Sequence, residues 1–300
     1  MNKDKNTYGN PEYLVETEWL EQNLNKPNLR VFDCTVNVKM NPDEVQRRCL
    51  PFVYESGIDQ YSKAHIPGSG YIDVPGKLSD SNSQLPLMFP NERIVVEQMR
   101  NYGINKNSHV VLYSTSEPNW ATRVWWMLRS SGFINVSVLN GGWSKWKFEG
   151  RPVSIRKCEY TSGNVILKRQ HNAFVDKEKV LEGINDKYTR IISALPVGIY
   201  EGNSEIMFGR KGRIAKSVNV PFVSLYDSNS GTYLPADLLR KKFDEVDAFD
   251  AEHIITYCGG GVAASNCAFA LALLGYENVS VYDGSMLEWG CDESLPMELG

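Results

Sequence analysis

The residue best placed for chemistry is Cys258, which is followed directly by three glycines. A run with strand character, residues 254–257, leads into this cysteine, and a helical pattern begins shortly after the glycines. Ligand sites of open α/β sheets lie at the carboxyl ends of strands. Glycines allow positive φ, so that several backbone N–H groups can point at one spot, and a helix start adds the positive end of its dipole. The pattern therefore predicts a nucleophilic cysteine whose thiolate or persulfide anion is stabilised by the backbone.

The other five cysteines have no comparable surroundings. The six cysteines form no C-x-x-C pair, and the four histidines show no metal-ligand spacing, so we predict neither a metal nor a cofactor. Cys267 lies inside the helical pattern, and we expect a packing residue there rather than a resolving thiol. The alternative for Cys258 is an inert cysteine at a glycine-rich turn, but a packing residue would gain little at the turn itself.

An internal repeat divides the chain into two related halves. The run His-Val-Val-Leu-Tyr at 109–113 resembles His-Ile-Ile-Thr-Tyr at 253–257, and Asn-Val-Ser-Val occurs at both 135–138 and 278–281. Trp146 and Trp289 follow these runs in their respective halves. The repeat takes about half of the 300 residues, so it indicates duplicated domains rather than a solenoid.

Each half shows short strand-like runs that alternate with helical patterns. We predict strands at 29–33, 110–113, 136–139, 190–193, 253–257 and 279–282, and helices at 121–131 and 263–274. This alternation predicts an α/β fold in which each half has a central parallel sheet with helices on both faces. The boundary is expected in the polar stretch 150–172, which contains Gly150, Pro152 and Gly163.

The loop at Cys258 resembles the active-site loop of the rhodanese family, in which a cysteine begins a six-residue cradle ahead of a helix. Other phrases resemble the tandem-domain sulfurtransferases of that family, namely His-Ile-Pro-Gly-Ser at 65–69, Ala-Thr-Arg-Val-Trp-Trp at 121–126, Leu-Asn-Gly-Gly-Trp at 139–143 and Val-Tyr-Asp-Gly-Ser at 281–285. The similarity spans about residues 12–297. It implies an inactive rhodanese-like domain at 1–155, a linker at 156–172 and a catalytic rhodanese domain at 173–300.

The resemblance implies a two-step sulfur transfer through Cys258. The thiolate takes the outer sulfur of a small donor (thiosulfate, mercaptopyruvate or a persulfide) and then passes it from a persulfide to a thiol or cyanide acceptor. The N–H groups expected to hold the anionic sulfur belong to Gly259, Gly260, Gly261, Val262 and Ala263. Ser114 occupies the place of Cys258 in the first half, in a loop without glycines, so we expect no persulfide chemistry there.

The second half departs from the family where substrate-binding arginines are expected. The resemblance places those arginines at Leu195 and Ile199, which are apolar here, and the family's loop histidine is Arg213. Arg213 and Arg210 are candidate replacements, because arginine binds carboxylates through two parallel hydrogen bonds. The alternative is a solvated basic loop. His65 is a further candidate that would border the site across the domain interface, and its alternative is a hydrogen-bonding role within its own loop.

Three other functions compete with the sulfurtransferase. A cysteine phosphatase or arsenate reductase needs an arginine six residues after the cysteine, and that position is Ala264. A non-catalytic interaction module would explain the absent arginines but not the cysteine with its three glycines. A dedicated sulfur carrier, which hands sulfur to a relay protein or a biosynthetic partner, stays open because fold alone does not separate these roles.

Composition limits the partners and the compartment. The net charge of −4 and the pI of about 5.7 give no electrostatic reason to expect nucleic acid or an anionic membrane as partner. The first residues have no signal-peptide pattern, and no apolar run approaches the ~20 residues needed to cross a bilayer. We therefore expect a cytoplasmic protein whose cysteines are kept reduced.

Overall fold

The computed structural model of the protein describes residues 7–115, 117–170 and 172–300. In these residues the first half of the chain contains, in order, β1 (Leu14–Val15), α1 (Thr17–Asn23), β2 (Leu29–Asp33), β3 (Val36–Met40), β4 (Phe52–Ser56), α2 (Ile58–Lys63), β5 (Gly70–Tyr71), α3 (Val74–Lys77), α4 (Glu92–Asn101), β6 (His109–Tyr113), α5 (Asn119–Ser130), β7 (Val136–Leu139) and α6 (Gly142–Phe148). Short 3-10 helices lie at Pro11–Tyr13 and Gln46–Arg48.

The second half follows the same plan. Its elements are β8 (Phe174–Val175), α7 (Lys177–Asn185), β9 (Thr189–Ser193), α8 (Val197–Tyr200), β10 (Arg213–Ile214), β11 (Val218–Asn219), α9 (Ala236–Asp244), β12 (His253–Tyr257), α10 (Val262–Leu273), β13 (Val279–Tyr282), α11 (Ser285–Trp289) and β14 (Met297–Glu298). Its 3-10 helices lie at Phe222–Ser224 and Ala248–Asp250.

Two five-stranded parallel sheets with one shared topology organise the two halves. The strand orders are β1-β7-β6-β2-β5 and β8-β13-β12-β9-β11. The central strands β6 and β12 are almost fully buried, as expected for parallel strands that are covered on both faces, and this explains their continuous apolar sequences. The predicted fold of two α/β domains is confirmed, and the predicted strands and helices agree with the structure to within two residues.

The two halves meet through α5 and α10, which pack against each other. α10 is apolar on all sides and buried along nearly its whole length, which is typical of a helix enclosed in a core. Trp125 of α5 meets Phe269 of α10 edge to face, with the ring centroids 4.8 Å apart. Asn266 also donates from its side-chain amide to Asn119 Oδ1 at 2.8 Å. The site loop at the start of α10 is therefore fixed against the first half.

The first half also carries an antiparallel hairpin, β3–β4, which the sequence did not predict. The hairpin reaches the second half: the N–H of Gly209 donates to Arg48 O at 2.6 Å, and the rings of Phe52 and Phe208 lie 6.4 Å apart. This contact brings side chains of β4 over the end of the second sheet.

The segment predicted as a linker lies against the first half. Val165 and Leu167 are buried, and the N–H groups of Val165 and Lys168 donate to Ile104 O and Ser131 O. None of the helices formed by the described residues is long and apolar enough to cross a membrane.

Candidate active site

Cys258 lies at the carboxyl end of β12, as the sequence predicts, and α10 begins four residues later at Val262. Its exposed fraction is only 3%. The start of α11 holds the loop from the other side, because the N–H groups of Met286 and Leu287 donate to Cys258 O at 3.0 Å and to Gly259 O at 2.8 Å. Strand end, loop and two helix starts therefore meet at Cys258.

The loop glycines are required by space and by backbone conformation. A Cβ on Gly259 would lie 2.5 Å from the ring of Phe208, which is closer than real contacts allow. Gly261 caps α10 with φ of +76°, a left-handed conformation that favours glycine. A Cβ there would also lie 3.0 Å from Arg123 Nη1 and from Asp283 O. The run of glycines thus reflects the close approach of three neighbouring segments.

Ser285 ties the two ends of the loop together. Its Oγ accepts hydrogen bonds from the N–H of Cys258 at 3.1 Å and of Gly261 at 3.2 Å, and it donates to Tyr282 O at 2.7 Å. Ser285 itself has φ of +48°, so this arrangement is held in an uncommon backbone conformation. Sequence reasoning found the Asp-Gly-Ser phrase that contains Ser285 but assigned it no role.

These contacts correct one part of the predicted cradle. The N–H of Gly261 was expected to hold the anionic sulfur, but it is already used by Ser285 Oγ. The N–H groups of Gly259, Gly260, Val262 and Ala263 donate to no acceptor within the described ranges. Because the first N–H groups of a helix have no partner inside the helix, Val262 and Ala263 present donors at the positive end of α10.

A cavity of about 290 Å³ opens at Cys258 between the two halves of the chain. The first half contributes Val38, Phe52, Tyr54, Glu117, Asn119 and Trp120. The second half contributes Leu195, Pro196, Ile199, Ile206, Phe208 and Phe222 together with Cys258, Gly259, Gly260, Val262 and Ala263. The described residues in this lining include no lysine, arginine or histidine. Sequence reasoning missed most of these walls, because no local motif marks them.

Three polar side chains face this otherwise apolar cavity. Burial raises the pKa of Glu117, although the amide of Asn119, which donates to Glu117 Oε2 at 3.0 Å, opposes this effect. Burial also raises the pKa of Tyr54, and the charge of the nearby Cys258 thiolate adds to the shift. Tyr54 therefore keeps its hydroxyl proton and presents a hydrogen-bond donor to the cavity.

The structure does not bring Arg210 and Arg213 to the cavity. The guanidinium of Arg210 is taken up by backbone carbonyl groups of the C-terminal segment, those of Trp289, Gly290, Asp292 and Leu295. Arg213 lies over the ring of Tyr200, donates to Gly300 O at 3.0 Å and is 3.6 Å from a carboxylate oxygen of Glu298. Both arginines bind the C-terminal segment, and these contacts give no support to the substrate-binding role that we expected for them.

His65 also lies outside the cavity lining. It is fully buried, and its ring nitrogens lie 2.7 Å from Tyr61 O and 3.0 Å from Arg156 O. Its backbone bridges to Ser154, just as Arg213 pairs with Glu298 in the second half. Each residue therefore holds the C-terminal segment of its own half, which is the structural alternative to the substrate role predicted for His65.

The equivalent position in the first half is closed. Ser114 follows β6 as Cys258 follows β12, but its hydroxyl donates to Glu117 O within its own loop. The space beside Ser114 measures only about 10 Å³. Room for one water molecule takes about 10–15 Å³, so the described residues leave no space for a substrate there.

A buried ion pair supports the loop from the first half. Arg123 Nη2 of α5 lies 2.6 Å from Asp283 Oδ1, and the two side chains are 0% and 8% exposed. Arg123 also donates to Leu87 O at 2.7 Å and to Gly261 O at 3.4 Å, while Asp283 Oδ2 accepts the N–H of Phe89 at 2.6 Å. An arginine within the mostly apolar run 120–128 was the available sequence signal for this pair.

Comparison with known proteins places these features in a family. The Rhodanese-like domain matches the chain twice, at residues 16–149 and 177–291. The chain belongs to the rhodanese family. The two matches coincide with the two sheets, and the resemblance stated from the sequence is therefore confirmed.

Curated members of the rhodanese family match this chain over most of its length. A thiosulfate/3-mercaptopyruvate sulfurtransferase of Arabidopsis thaliana is 32% identical, with 96% of this chain and 78% of the relative covered. The 3-mercaptopyruvate sulfurtransferase of Escherichia coli K12 is 30% identical over 95% of this chain and 98% of its own. The thiosulfate sulfurtransferase of Rattus norvegicus is 30% identical over 92% and 91%.

Solved structures agree with this placement. The crystal structure of SseA from Escherichia coli, a 3-mercaptopyruvate sulfotransferase, has a TM-score of 0.78 and 28% identity, covering 91% of this chain and 98% of its own. An anaerobic ergothioneine biosynthesis enzyme from Chlorobium limicola has a TM-score of 0.80 at 20% identity, covering 96% and 70%. The second likeness is one of fold alone.

Proposed function

We propose that this rhodanese-family protein moves sulfur from a small donor to a thiol or cyanide acceptor through a persulfide on Cys258. The observation that carries the proposal is the position of Cys258 in the cavity lining, beside N–H groups at the start of α10 that have no acceptor among the described residues. Backbone donors fixed in this way stabilise an anionic sulfur without reorganisation during the reaction.

The transfer proceeds in two balanced steps. The Cys258 thiolate attacks the outer sulfur of the donor, the bond between that sulfur and the rest of the donor breaks, and the donor leaves with its electron pair. In the second step an acceptor thiolate or cyanide attacks the outer sulfur of the persulfide, and Cys258 returns as a thiolate. The N–H groups of Gly259, Gly260, Val262 and Ala263 support the negative sulfur in both states.

Relatives that cover more than nine tenths of this chain are named sulfurtransferases, which confirms the enzyme class predicted from the sequence. The identities of the donor and the acceptor are still predictions. A sulfur-relay protein as partner and a cytoplasmic location are predictions as well. The open cavity at Cys258 supports small-molecule turnover over a purely non-catalytic module.

The proposal is tested by intact-protein mass spectrometry under non-reducing conditions. The protein is incubated separately with thiosulfate, 3-mercaptopyruvate and an organic persulfide, and Cys258→Ser is treated in parallel. We expect the wild type alone to gain one sulfur atom and to lose it when cyanide is added.

Cys267→Ser is the matched control. Cys267 is fully buried in α10, and burial raises the pKa of its thiol, so it should not exchange sulfur. This variant should load sulfur like the wild type. Two results contradict the proposed function. One is a gain of sulfur by Cys258→Ser, and the other is that no form of the protein gains sulfur from any of the donors.

A further inference from the structure

The walls of the Cys258 cavity are mostly apolar. Twelve of the described lining residues are apolar or aromatic, and both halves contribute them: Val38, Phe52, Tyr54, Trp120, Leu195, Pro196, Ile199, Ile206, Phe208, Phe222, Val262 and Ala263. We infer that the sulfur donor is an organic hydropersulfide, R–S–SH, whose uncharged apolar group R occupies this cavity. The inference rests on the proposed sulfur transfer and names its substrate class.

An anionic donor finds no counterion in the cavity. The described lining residues include no cationic side chain, and their ionisable side chains are Cys258, Tyr54 and Glu117. The nearby arginines are engaged elsewhere, since Arg210 binds carbonyl groups and Arg123 pairs with Asp283. Moving a carboxylate or sulfonate out of water without a partner is unfavourable. The cavity therefore selects against donors with a charged body.

The apolar walls favour a hydrocarbon group of limited size. A volume of about 290 Å³ lies at the lower end of small-molecule sites, which suits one alkyl chain or one aromatic ring. Aromatic side chains from both halves face this space, and Tyr54 meets Trp120 edge to face with centroids 6.0 Å apart. Such walls stabilise a bound ring through burial and edge contacts.

The donor step balances without a further reactant. Cys258-S⁻ attacks the outer sulfur of R–S–SH, the bond between the two donor sulfurs breaks, and a bond between Cys258 Sγ and the outer sulfur forms. The outer sulfur gives its proton to the leaving R–S⁻, so the products are Cys258-S-S⁻ and R–SH. No oxidant or reductant takes part.

The test compares two donors that differ by one carboxylate group. Benzyl hydropersulfide and 4-carboxybenzyl hydropersulfide, both released in situ from precursors, carry the same reacting group and nearly the same ring. The second-order rate of sulfur gain on Cys258 is followed by intact mass, with Cys258→Ser as the blank. We expect the uncharged donor to react about tenfold faster or more, because the carboxylate loses its hydration without gaining a cationic partner.

A second comparison inserts the missing cation. Leu195 lies in the cavity wall with 5% exposure, so Leu195→Arg places a guanidinium beside the bound donor. We expect this variant to bring the loading rates of the two benzyl donors closer together or to make the carboxylated donor the faster one. Glu117→Gln, which removes the carboxyl that the described wall residues contribute, should also bring the loading rates of the two benzyl donors closer together.

The outcomes separate this inference from the proposed function. Equal rates for the two benzyl donors, or faster loading by the carboxylated donor, thiosulfate or 3-mercaptopyruvate, overturn the apolar-donor inference while sulfur transfer through Cys258 still holds. Failure of every donor to load Cys258 overturns the proposed function itself. A rate ratio that Leu195→Arg leaves unchanged also contradicts the inference, because the ratio then does not arise in this cavity.

Discussion

Cys258 and Ser114 end equivalent central strands, yet only one of them faces usable space. The cavity is about 290 Å³ at Cys258 and about 10 Å³ at Ser114. The three glycines after Cys258 allow a wide loop, whereas the Ser114 hydroxyl closes its own loop by bonding to Glu117 O. At the scale of single residues, the Cys258 loop differs from the closed Ser114 loop through the conformational freedom of its glycines as much as through the residue at the strand end.

Gly261→Ala tests this reading at one residue. The change places a side chain at φ of +76°, which costs about 1–2 kcal/mol for an L-residue, and it presses against Arg123 and Asp283. We expect a lower free energy of unfolding, measured in urea, together with slower sulfur loading of Cys258.

Gly68→Ala is the matched control for that change. Gly68 has nearly the same φ, +75°, but a Cβ there has no neighbour within 4 Å. Gly68→Ala should lower the free energy of unfolding by the conformational cost alone. It should load sulfur like the wild type. Equal effects of the two changes on loading would mean that the close contacts around Gly261 do not shape the site.

At the scale of elements, the site is a junction of β12, α10 and the start of α11. Ser285, the first residue of α11, accepts the N–H groups of Cys258 and Gly261 and so fixes both ends of the loop. α10 contributes N–H donors, and β12 supplies the rigid base that a precise site needs. The loop is thus held by its neighbours rather than by its own side chains.

Ser285→Ala removes the acceptor shared by two buried N–H groups. Each unsatisfied donor costs about 1–3 kcal/mol, so we expect the free energy of unfolding to fall by about 2 kcal/mol or more. The loosened loop should also load sulfur more slowly. Urea unfolding and the mass-spectrometric loading rate measure the two effects.

Ser265→Ala serves as the comparison within the same junction. Ser265 Oγ donates to Gly261 O, but that carbonyl oxygen also accepts hydrogen bonds from the backbone N–H of Ser265 and from Arg123 Nη1. Loss of the Ser265 hydroxyl should therefore lower the free energy of unfolding by less than about 1.5 kcal/mol and leave sulfur loading near the wild-type rate. A Ser265→Ala effect as large as that of Ser285→Ala would refute the special role of Ser285.

At the scale of the whole molecule, neither half forms the cavity alone. The hairpin β3–β4 and the start of α5 close it from the first half, while the loop at Phe208 and the start of α8 close it from the second. The first half therefore provides walls for the cavity at Cys258. The buried pair of Arg123 and Asp283 fixes the two halves beside Gly261.

Arg123→Met tests this coupling between the halves. The change leaves the Asp283 carboxylate buried without its partner, and breaking such a pair costs about 3–5 kcal/mol. We expect a lower urea midpoint and slower sulfur loading. Adding Asp283→Asn removes the orphaned charge while keeping an acceptor for Phe89 N–H, so the double variant should recover at least about 1 kcal/mol. A double variant no more stable than Arg123→Met would contradict the ion-pair explanation.

The sequence by itself determined the repeat, the two α/β domains and the strand–loop–helix element around Cys258, the residue that we predict to be the nucleophile. These features follow from local patterns, since apolar runs and glycines specify strands, helices and turns over a few residues. The tertiary structure alone decided that Arg210 and Arg213 bind the C-terminal segment, that Ser285 takes the Gly261 N–H, and that the cavity is apolar. These contacts join residues far apart in the chain, and the partner of a side chain is set by packing, which no local pattern encodes.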